Sequence, residues 1–372
     1  MCGAIILLLL ALEQPADHAA EGLKALEAQD YAAAEQHLSR AVEADPSDFT
    51  ARFNLALTQS LLGKRRDAIE GYRKVLSLKP GLYEAELNLG ILLVLDKQSG
   101  EAVTLLESAC RQKPGEFKPH FWLAEALLST GKTSSATEHF ERALELDPKN
   151  AGAWLGLARS QIRQGKLEEA EASIIKALDL EPDSRQALLE LAAAYEQAGR
   201  LDKALDLYTQ FPDHAAALER RALLLIKTGQ SEQALWPLER LLAGEPDNAG
   251  LRLTYGRVLR DLKRYREAAA QFSFTVRLQP DLAEGWGELA SVSVLLEDYA
   301  AALQALDRLK DLGAEKPGHL YLRAIMLDKM RQLKPALEYY EKFLEASRGA
   351  SPNEEFLARQ RARIIKKELE RR

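Results

Sequence analysis

Proline returns at a constant interval through the first half of this chain, and that period constrains the fold more than any other feature. It stands equally spaced at Pro46, Pro80, Pro114, Pro148 and Pro182, and again at Pro212, Pro246 and Pro280. Alanine follows the same rhythm in ten successive units, at Ala34, Ala68, Ala102, Ala136, Ala170, Ala204, Ala234, Ala268, Ala302 and Ala336. Such a period is typical of repeats that each bury an apolar face only against their neighbours. The chain is therefore predicted to form a stacked array of ten repeats.

Each repeat has the pattern of two α-helices joined by a short turn. Apolar residues recur at intervals of three and four, as they do on the buried face of a helix. Between the halves stands a turn such as Gln164-Gly165-Lys166, where glycine can adopt the left-handed conformation that ends a helix. A second column holds only glycine or alanine, at Gly22, Ala56, Gly90, Ala124, Ala158, Ala192, Ala222, Gly256, Ala290 and Ala324. Small side chains there allow paired helices to approach closely, and the predicted fold class is all-α.

The unit resembles the tetratricopeptide repeat in its length of about 34 residues, its two small-residue columns and its closing proline. An aromatic residue follows the alanine by four positions in five units, at Tyr72, Phe140, Tyr208, Phe272 and Tyr340. Trp154 and Trp286 occupy the aromatic position of the first helix. The resemblance covers about residues 15–348. It implies a right-handed superhelical solenoid of antiparallel helix pairs, whose first helices line a concave binding surface.

The sixth repeat is four residues shorter than the complete early repeats, because only eight residues separate Ala204 from Pro212 where the others have twelve. Four residues are about one helical turn, so Leu205, Tyr208 and Phe211 are expected to keep their inward direction. We expect a local change in superhelix curvature at residues 209–215, which divides repeats 1–6, in residues 15–212, from repeats 7–10, in residues 213–348. A neutral deletion in a continuous stack is the alternative.

The first 14 residues do not follow the repeat. Their apolar run from Ala4 to Leu12 is too short to span a bilayer but has the length of a signal-peptide core, although no Lys or Arg precedes it. Export to a periplasmic or membrane-tethered location is slightly favoured over a cytoplasmic one, and an apolar cap on the first helix is the alternative. Membrane association is expected through this segment only.

Residues 349–372 are predicted to form a capping helix, since stacked arrays need a polar outer face at an open end. Ser351 and Pro352, followed by two acidic residues, have the composition of a helix N-terminus. The predicted buried face contains Leu357, Ala358, Ala362, Ile365 and Leu369. The basic cluster of this helix could instead attract an acidic partner or a membrane surface.

No pattern in the sequence indicates a catalytic residue or a bound cofactor. The net charge of -6 gives no excess of positive charge to neutralise phosphates, so nucleic acid is not expected as a ligand. Gly131-Lys132-Thr133 fits a relaxed phosphate-loop pattern, but a predicted helix precedes it where a phosphate loop needs a strand. A nucleotide-dependent enzyme that uses this turn is a remote alternative.

No metal site is expected either. The six histidines show no HExxH or comparable ligand spacing, and the two cysteines, Cys2 and Cys110, cannot provide a disulfide framework. His120 and His139 could face each other across the two helices of the fourth repeat. Without a carboxylate or a thiolate beside it, such a pair is interpreted as structural.

The predicted concave surface is apolar at one end and basic at the other. Its apolar part comprises Phe53, Asn54, Leu57, Leu87, Asn88, Ile91, Phe121 and Trp122, and its basic part comprises Arg159, Arg163, Arg220, Arg257 and Arg260. Asn54 and Asn88 stand one repeat apart, and they resemble the start of the asparagine ladder in the repeats of O-linked N-acetylglucosamine transferase, where amides hold a peptide backbone. Asparagines that merely bridge adjacent helices are the alternative.

These features predict a non-catalytic scaffold that binds a peptide or protein segment along its concave groove and assists complex assembly or tethering. An accessory subunit of a transferase, or of an export or envelope assembly machine, is the alternative. A partner with an apolar segment followed by an acidic one would suit the groove, and a mixed-charge face without a ligand is the competing interpretation.

Overall fold

The structure, a computed structural model, describes residues 15–370, which contain 21 α-helices and no strand. Within each of the two compact units given below, consecutive helices pack against one another. The predicted all-α fold of paired helices is confirmed. The residues fall into two compact units, of which the first ends at Ala198 and the second begins at Gly199. Residues 1–14, with the predicted signal or cap, lie outside the described part.

The helices of the first unit are α1 (Pro15–Glu27), α2 (Tyr31–Ala44), α3 (Phe49–Leu61), α4 (Arg65–Leu78), α5 (Tyr83–Leu95), α6 (Ser99–Gln112), α7 (Phe117–Ser129), α8 (Thr133–Leu146), α9 (Ala151–Arg163), α10 (Leu167–Leu180) and α11 (Gln186–Gln197). Those of the second unit are α12 (Leu201–Thr209), α13 (Ala215–Lys227), α14 (Ser231–Gly244), α15 (Ala249–Asp261), α16 (Tyr265–Leu278), α17 (Ala283–Leu295), α18 (Tyr299–Asp311), α19 (Pro317–Lys329), α20 (Leu333–Ser347) and α21 (Pro352–Glu370). Within residues 15–370, no helix is both long and apolar enough to cross a membrane.

The turns between paired helices have the predicted chemistry. Gly63, Gly131 and Gly165 end the first helices of their repeats with φ angles of 75°, 80° and 75°. Glycine adopts this left-handed conformation without the steric cost that a Cβ atom brings. Polar caps begin several of the first helices, as where the Asp48 carboxylate accepts hydrogen bonds from the backbone N–H groups of Thr50 and Ala51.

The two small-residue columns form the centre of every repeat. All ten alanines of the second-helix column, from Ala34 to Ala336, have no exposed surface, and the glycines and alanines of the first-helix column are buried as well. Large side chains fill the space that these small ones leave, and the buried rings of Tyr72, Phe140 and Phe272 are fully enclosed. Close packing of this kind makes the core sensitive to an added methyl group.

A hydrogen bond from the first helix to the closing proline recurs along the array. The residue six positions after the proline donates a side-chain N–H to the proline carbonyl in several repeats. The pairs are Arg52 Nη2 to Pro46 O at 3.0 Å, Trp154 Nε1 to Pro148 O at 3.0 Å, Arg252 Nε to Pro246 O at 2.8 Å and Trp286 Nε1 to Pro280 O at 2.9 Å. We call this position the donor column. It satisfies a carbonyl at the junction between repeats.

The sixth repeat loses its residues from the second helix, as predicted. Helix α12 has 9 residues, whereas α10 and α14 have 14 each. Leu205 and Tyr208 are buried. Phe211 lies beyond the helix end and is only half-buried, with its ring centroid 6.2 Å from that of His214. The boundary between the compact units falls between α11 and α12, and the division after residue 212 stays a prediction.

Helix α21 packs on α20 through a narrower face than predicted. Ala358, Ala362 and Ile365 are buried there, and Leu369 packs at the edge of the same cluster. Leu357 is 53% exposed, so its assignment to the buried face is wrong. One residue is about 100° of helical rotation, and the neighbouring Ala358 takes the inward position.

Internal acidic partners hold three of the basic side chains of α21. Arg361 makes two hydrogen bonds to the Asp328 carboxylate on α19, one of them 2.7 Å from Nη2 to Oδ1. Arg359 pairs with Glu355, and Lys366 lies 2.7 Å from a carboxylate oxygen of Glu341. The contacts of Arg361 and Lys366 attach α21 to the last repeat, whereas the Arg359–Glu355 pair lies within α21 itself. This favours the capping interpretation over a basic binding tail.

Candidate peptide-binding surface

The first helices of neighbouring repeats contact one another, which places their inner side chains on a common surface. In the first compact unit α1 contacts α3, α5 contacts α7, and α7 contacts α9. In the second, α15 contacts α17 and α17 contacts α19. The surface of each unit is described separately below.

The apolar inner face of the first unit consists of Phe53, Leu57, Ile91, Phe121 and Trp122. All five are half-buried: their inner edges pack against the core and their outer edges meet solvent. Leu87, predicted to belong to this face, is only 8% exposed and supports it from beneath. The apolar side chains are thus brought together, but they offer edges rather than whole side chains.

Neighbouring rings hold the aromatic residues of this face in place. Phe121 stacks on Phe117 with ring centroids 5.4 Å apart, and meets Trp122 edge-on at 5.3 Å. Phe53 meets Tyr72 edge-on at 5.5 Å. Aromatic contacts at these distances fix ring orientation. A ligand would therefore meet a largely preformed surface.

The two asparagines predicted to act together have different environments. Asn88 Nδ2 donates to the Tyr72 hydroxyl, 3.2 Å away on α4, so this side chain bridges two helices. Burial raises the pKa of Tyr72 to about 12, which keeps its hydroxyl protonated at neutral pH. For Asn54 the described part of the chain provides no side-chain hydrogen bond, and its half-buried amide is available to a ligand.

Repeat geometry explains this difference. Each asparagine follows, at a fixed offset, one position in the second helix of the preceding repeat, and for Asn88 that position holds Tyr72. For Asn54 the equivalent residue is Leu38, which has no hydroxyl to bond with. Only one member of the column thus bridges two helices, and sequence spacing alone could not separate it from the other.

Arg159 and Arg163 lie at the end of the apolar inner face and have partners on α7. Arg159 Nη2 is 3.2 Å from a carboxylate oxygen of Glu125, and Arg163 donates to the backbone carbonyl of Leu128. Burial raises the pKa of Glu125, while the two arginines oppose the shift. The charge of Arg159 is therefore paired, whereas Arg163 keeps its positive charge while it donates to a neutral carbonyl.

In the second unit two of the three predicted basic residues belong to an ion-pair network. Arg257 contacts Glu284 and Glu288, with 2.7 Å from its Nε to a Glu288 oxygen, and Arg260 contacts Glu288 and Asp261. Arg220 is exposed on α13. Glu288 occupies the same position in its repeat as Asn54 does in the second repeat. The repeat pattern could therefore have identified Glu288 as a residue of the inner surface. An inner surface with paired charges gives an acidic peptide less attraction than free arginines would.

The Gly131-Lys132-Thr133 segment is an inter-helix turn. It joins α7 to α8, and Gly131 has nearly the same φ as its counterparts in other repeats. A phosphate loop requires a strand before it, and here a helix ends at Ser129. The remote nucleotide-dependent alternative thus lacks its structural context.

The interpretation of His120 and His139 as a pair without a thiol neighbour is wrong. Cys110 on α6 lies beside them, and the three ligand atoms fall within 4.8 Å of one another. Cys110 occupies a column that is apolar in the adjacent repeats, at Leu76 and Leu144. The repeat pattern therefore does not indicate a thiol beside the two histidines.

Comparisons with known proteins agree with the repeat architecture. Residues 7–235 match the family model described as the Cilia and flagella-associated protein 70 C-terminal domain, and residues 253–319 match a tetratricopeptide-repeat model. Among curated proteins, no relative matches the chain significantly.

Several solved structures are similar over part of the chain. MamA from Desulfovibrio magneticus RS-1 is 20% identical with a TM-score of 0.43, covering 47% of this chain and 99% of its own. MamA from strain AMB-1 is 25% identical with a TM-score of 0.43, covering 45% and 98%. YrrB, described as a TPR protein with an unusual peptide-binding site, is 23% identical with a TM-score of 0.41, covering 49% and 96%.

Proposed function

Because the chain belongs to the tetratricopeptide-repeat family, in the group of the Cilia and flagella-associated protein 70 C-terminal domain, we propose that it is a non-catalytic scaffold that binds a peptide segment of a protein partner. The segment lies on the apolar inner face of the first unit. Binding there assists the assembly or tethering of a complex.

The observation that carries this proposal is the combination of half-exposed aromatic edges with an amide that has no partner within the described residues. Phe121 and Trp122 are held by neighbouring rings, and Asn54 lies on the same series of first helices. Apolar edges favour a ligand that covers them, since burial of apolar surface contributes about 25 cal/mol per Å². An amide both donates and accepts, so it suits a peptide backbone irrespective of side-chain sequence.

The chemistry of this face favours an extended, largely apolar segment. One well-buried apolar side chain contributes about 1.5–3 kcal/mol, so two or three of them supply most of a micromolar affinity before ordering costs. Arg159 is paired with Glu125, which weakens the attraction of this end of the face for an acidic continuation of the segment.

The test begins with short random peptides displayed on phage and selected against the full-length protein. Enriched peptides are synthesised, and their affinity is measured by fluorescence anisotropy. We expect apolar sequences whose affinity falls at least about tenfold with Trp122→Ala, since buried tryptophans dominate interface energies. We expect about a two- to tenfold loss with Asn54→Ala, because one hydrogen bond contributes about 0.5–1.5 kcal/mol.

Trp236→Ala is the matched control. Trp236 is 42% exposed on α14, a second helix outside the face, so its removal should leave the affinity unchanged. Helical circular dichroism establishes that each variant is folded. Peptides that bind the Asn54→Ala/Trp122→Ala protein as tightly as the parent protein would exclude the apolar inner face.

A further inference from the structure

Three side chains that bind metals converge where the third repeat meets the fourth. Cys110 comes from α6, His120 from the first turn of α7 and His139 from α8. His120 Nδ1 is 3.8 Å from Cys110 Sγ and 3.0 Å from His139 Nδ1. Cys110 and His120 are buried, and His139 is half-buried. The cluster thus has an enclosed side and one side open to solvent.

The tautomer of His120 is fixed by its position in the repeat. His120 occupies the donor column, where Arg52, Trp154, Arg252 and Trp286 each donate to the closing proline carbonyl. His120 Nε2 lies 3.2 Å from Pro114 O. A carbonyl oxygen only accepts, so the proton is on Nε2 and the Nδ1 lone pair is directed at the cluster. A second hydrogen bond that orients the ligand is characteristic of metal-bound histidine.

The spacing of the three atoms suits a tetrahedral ion with nitrogen and sulfur ligands. Zinc lies about 2.0–2.1 Å from histidine nitrogen and about 2.3 Å from cysteine sulfur, which separates two nitrogens by about 3.3 Å and nitrogen from sulfur by about 3.6 Å. The observed separations of 3.0 Å and 3.8 Å lie close to these values. The third separation, between Cys110 and His139, is within 4.8 Å, so a side-chain movement of up to about 1 Å would complete the geometry.

We propose that Cys110, His120 and His139 form a binding site for Zn²⁺ that joins the third and fourth repeats. A thiolate with two imidazoles is a ligand set that zinc accepts, and three protein ligands leave a fourth position for water on the open side beside His139. Glu107, one turn before Cys110 on α6, adds a negative charge that acts on both Cys110 and His139, and Glu138 adds another at His139. Arg111 opposes this charge at Cys110, and Arg142 acts on His120.

Binding changes the protonation of two ligands. In the metal-free site the Nδ1–H of His139 donates to the bare Nδ1 of His120. When Zn²⁺ enters, His139 carries its proton on Nε2 instead, and the Cys110 thiol releases one proton to solvent. No oxidation or reduction is involved.

The first repeat provides an internal control. His18 and His37 stand in the same two columns as His120 and His139, three repeats earlier, with ring centroids 5.8 Å apart. The position equivalent to Cys110 is Leu8 in the sequence. Among the described residues no thiol lies with this histidine pair in a cluster that could hold a metal, so it should not bind zinc with comparable affinity.

The test uses the full-length protein, which is freed of metal by a chelator and then titrated with Co²⁺. The absorption spectrum of bound Co²⁺ shows which ligands hold the ion. We expect one equivalent to produce a thiolate-to-cobalt charge-transfer band in the near ultraviolet, together with tetrahedral d–d bands, and Zn²⁺ to abolish both. Cys110→Ser should remove the charge-transfer band, and His139→Ala should weaken binding at least about 100-fold. Cys2→Ser and His37→Ala are the matched controls and should retain the parent spectrum and affinity.

A thermal measurement gives an independent readout. Zinc at about 1,000 times its dissociation constant should raise the Tm of the parent by about 5 °C, since only the folded chain brings the ligands together. The shift should vanish in His139→Ala and persist in His37→Ala. Absence of the charge-transfer band in the parent, its loss in Cys2→Ser, or an equal Tm shift in His139→Ala would overturn the site.

Discussion

The backbone of Gly156 lies directly against the ring of Phe140 from the preceding repeat: a Cβ atom on Gly156 would come within 2.2 Å of the Phe140 Cε1 atom. Phe140 has no exposed surface, so it cannot turn outward to make room. The fourth and fifth repeats are therefore in close contact at Gly156, which stands in the column that also contains Asn54 and Asn88.

We expect Gly156→Ala to destabilise the protein by about 1–3 kcal/mol through overpacking, of which the better helix propensity of alanine recovers up to about 1 kcal/mol. Gly100→Ala, on α6, is the control because no atom lies within 4 Å of its Cβ position. Urea denaturation should show a lower midpoint for the first variant and an equal or higher one for the second. Equal midpoints would show that the Phe140 ring adapts without cost.

The Asn88–Tyr72 bridge predicts unequal roles for the two asparagines. Asn88→Ala leaves the enclosed Tyr72 hydroxyl without its donor and should cost about 1–3 kcal/mol. Asn54→Ala should change stability by less than about 0.5 kcal/mol. Adding Tyr72→Phe to Asn88→Ala should recover part of the loss, because both partners of the bond are then absent. Equal losses in the two single variants would contradict a structural role specific to Asn88.

Glu288 should stabilise the second unit in a salt-dependent manner. It contacts both Arg257 and Arg260, whose side chains are 35% and 31% exposed, so solvent screens part of the attraction. Glu288→Gln should cost about 1 kcal/mol at low ionic strength. The difference should shrink in about 1 M salt, where the Debye length falls to about 3 Å. Glu232→Gln, whose carboxylate is 4.0 Å from Arg264 and 73% exposed, should have little effect at either salt concentration.

Helix α21 should detach at acid pH through Glu355. Its carboxylate accepts hydrogen bonds from Ser347 Oγ at 2.7 Å and from the Gly349 backbone N–H at 2.5 Å, and these contacts lower the pKa of Glu355 below its usual value of 4.5. Because the folded state holds the proton less tightly than the unfolded state, the stabilisation is present above pH 4.5 and is lost as pH falls through the lowered pKa.

Hydrogen exchange over residues 352–370 measures this effect. Protection should fall in acid for the parent, and Glu355→Gln should show weak protection already at neutral pH. Glu354→Gln is the control, since the adjacent Glu354 is exposed. Parent-like protection in the Glu355→Gln protein would remove this carboxylate from the attachment of the helix.

The periodicity was sufficient to predict the fold because the same positions in every repeat hold the small residues that allow the two helices to pack closely. The small residues at Ala68 and Gly90, the glycine turns and the closing prolines each have a local cause that is visible in the sequence. The inner surface was less predictable. Whether Asn54 or Asn88 is engaged depends on a residue in the preceding repeat, and the charge of Arg257 depends on Glu288 in the following one. Which side chains bond to one another thus depends on two columns in neighbouring repeats. A single column predicts only the surface toward which a side chain points.

The cysteine beside His120 shows the same limit. Cysteine is compatible with an apolar column, so the repeat pattern does not distinguish its thiol from an ordinary core side chain. Its histidine neighbours stand on the next two helices, at sequence distances that match no local ligand motif.

The donor column also governs which substitutions an array of this kind can accept. What the junction requires at this position is one N–H group aimed at a carbonyl; arginine and tryptophan meet that requirement although they differ in charge and shape. Histidine meets it with one ring nitrogen and keeps the other free. A repeat can therefore exchange a purely architectural residue for a chemically reactive one without losing a hydrogen bond, so that new chemistry at these junctions requires a change of residue but no change of fold.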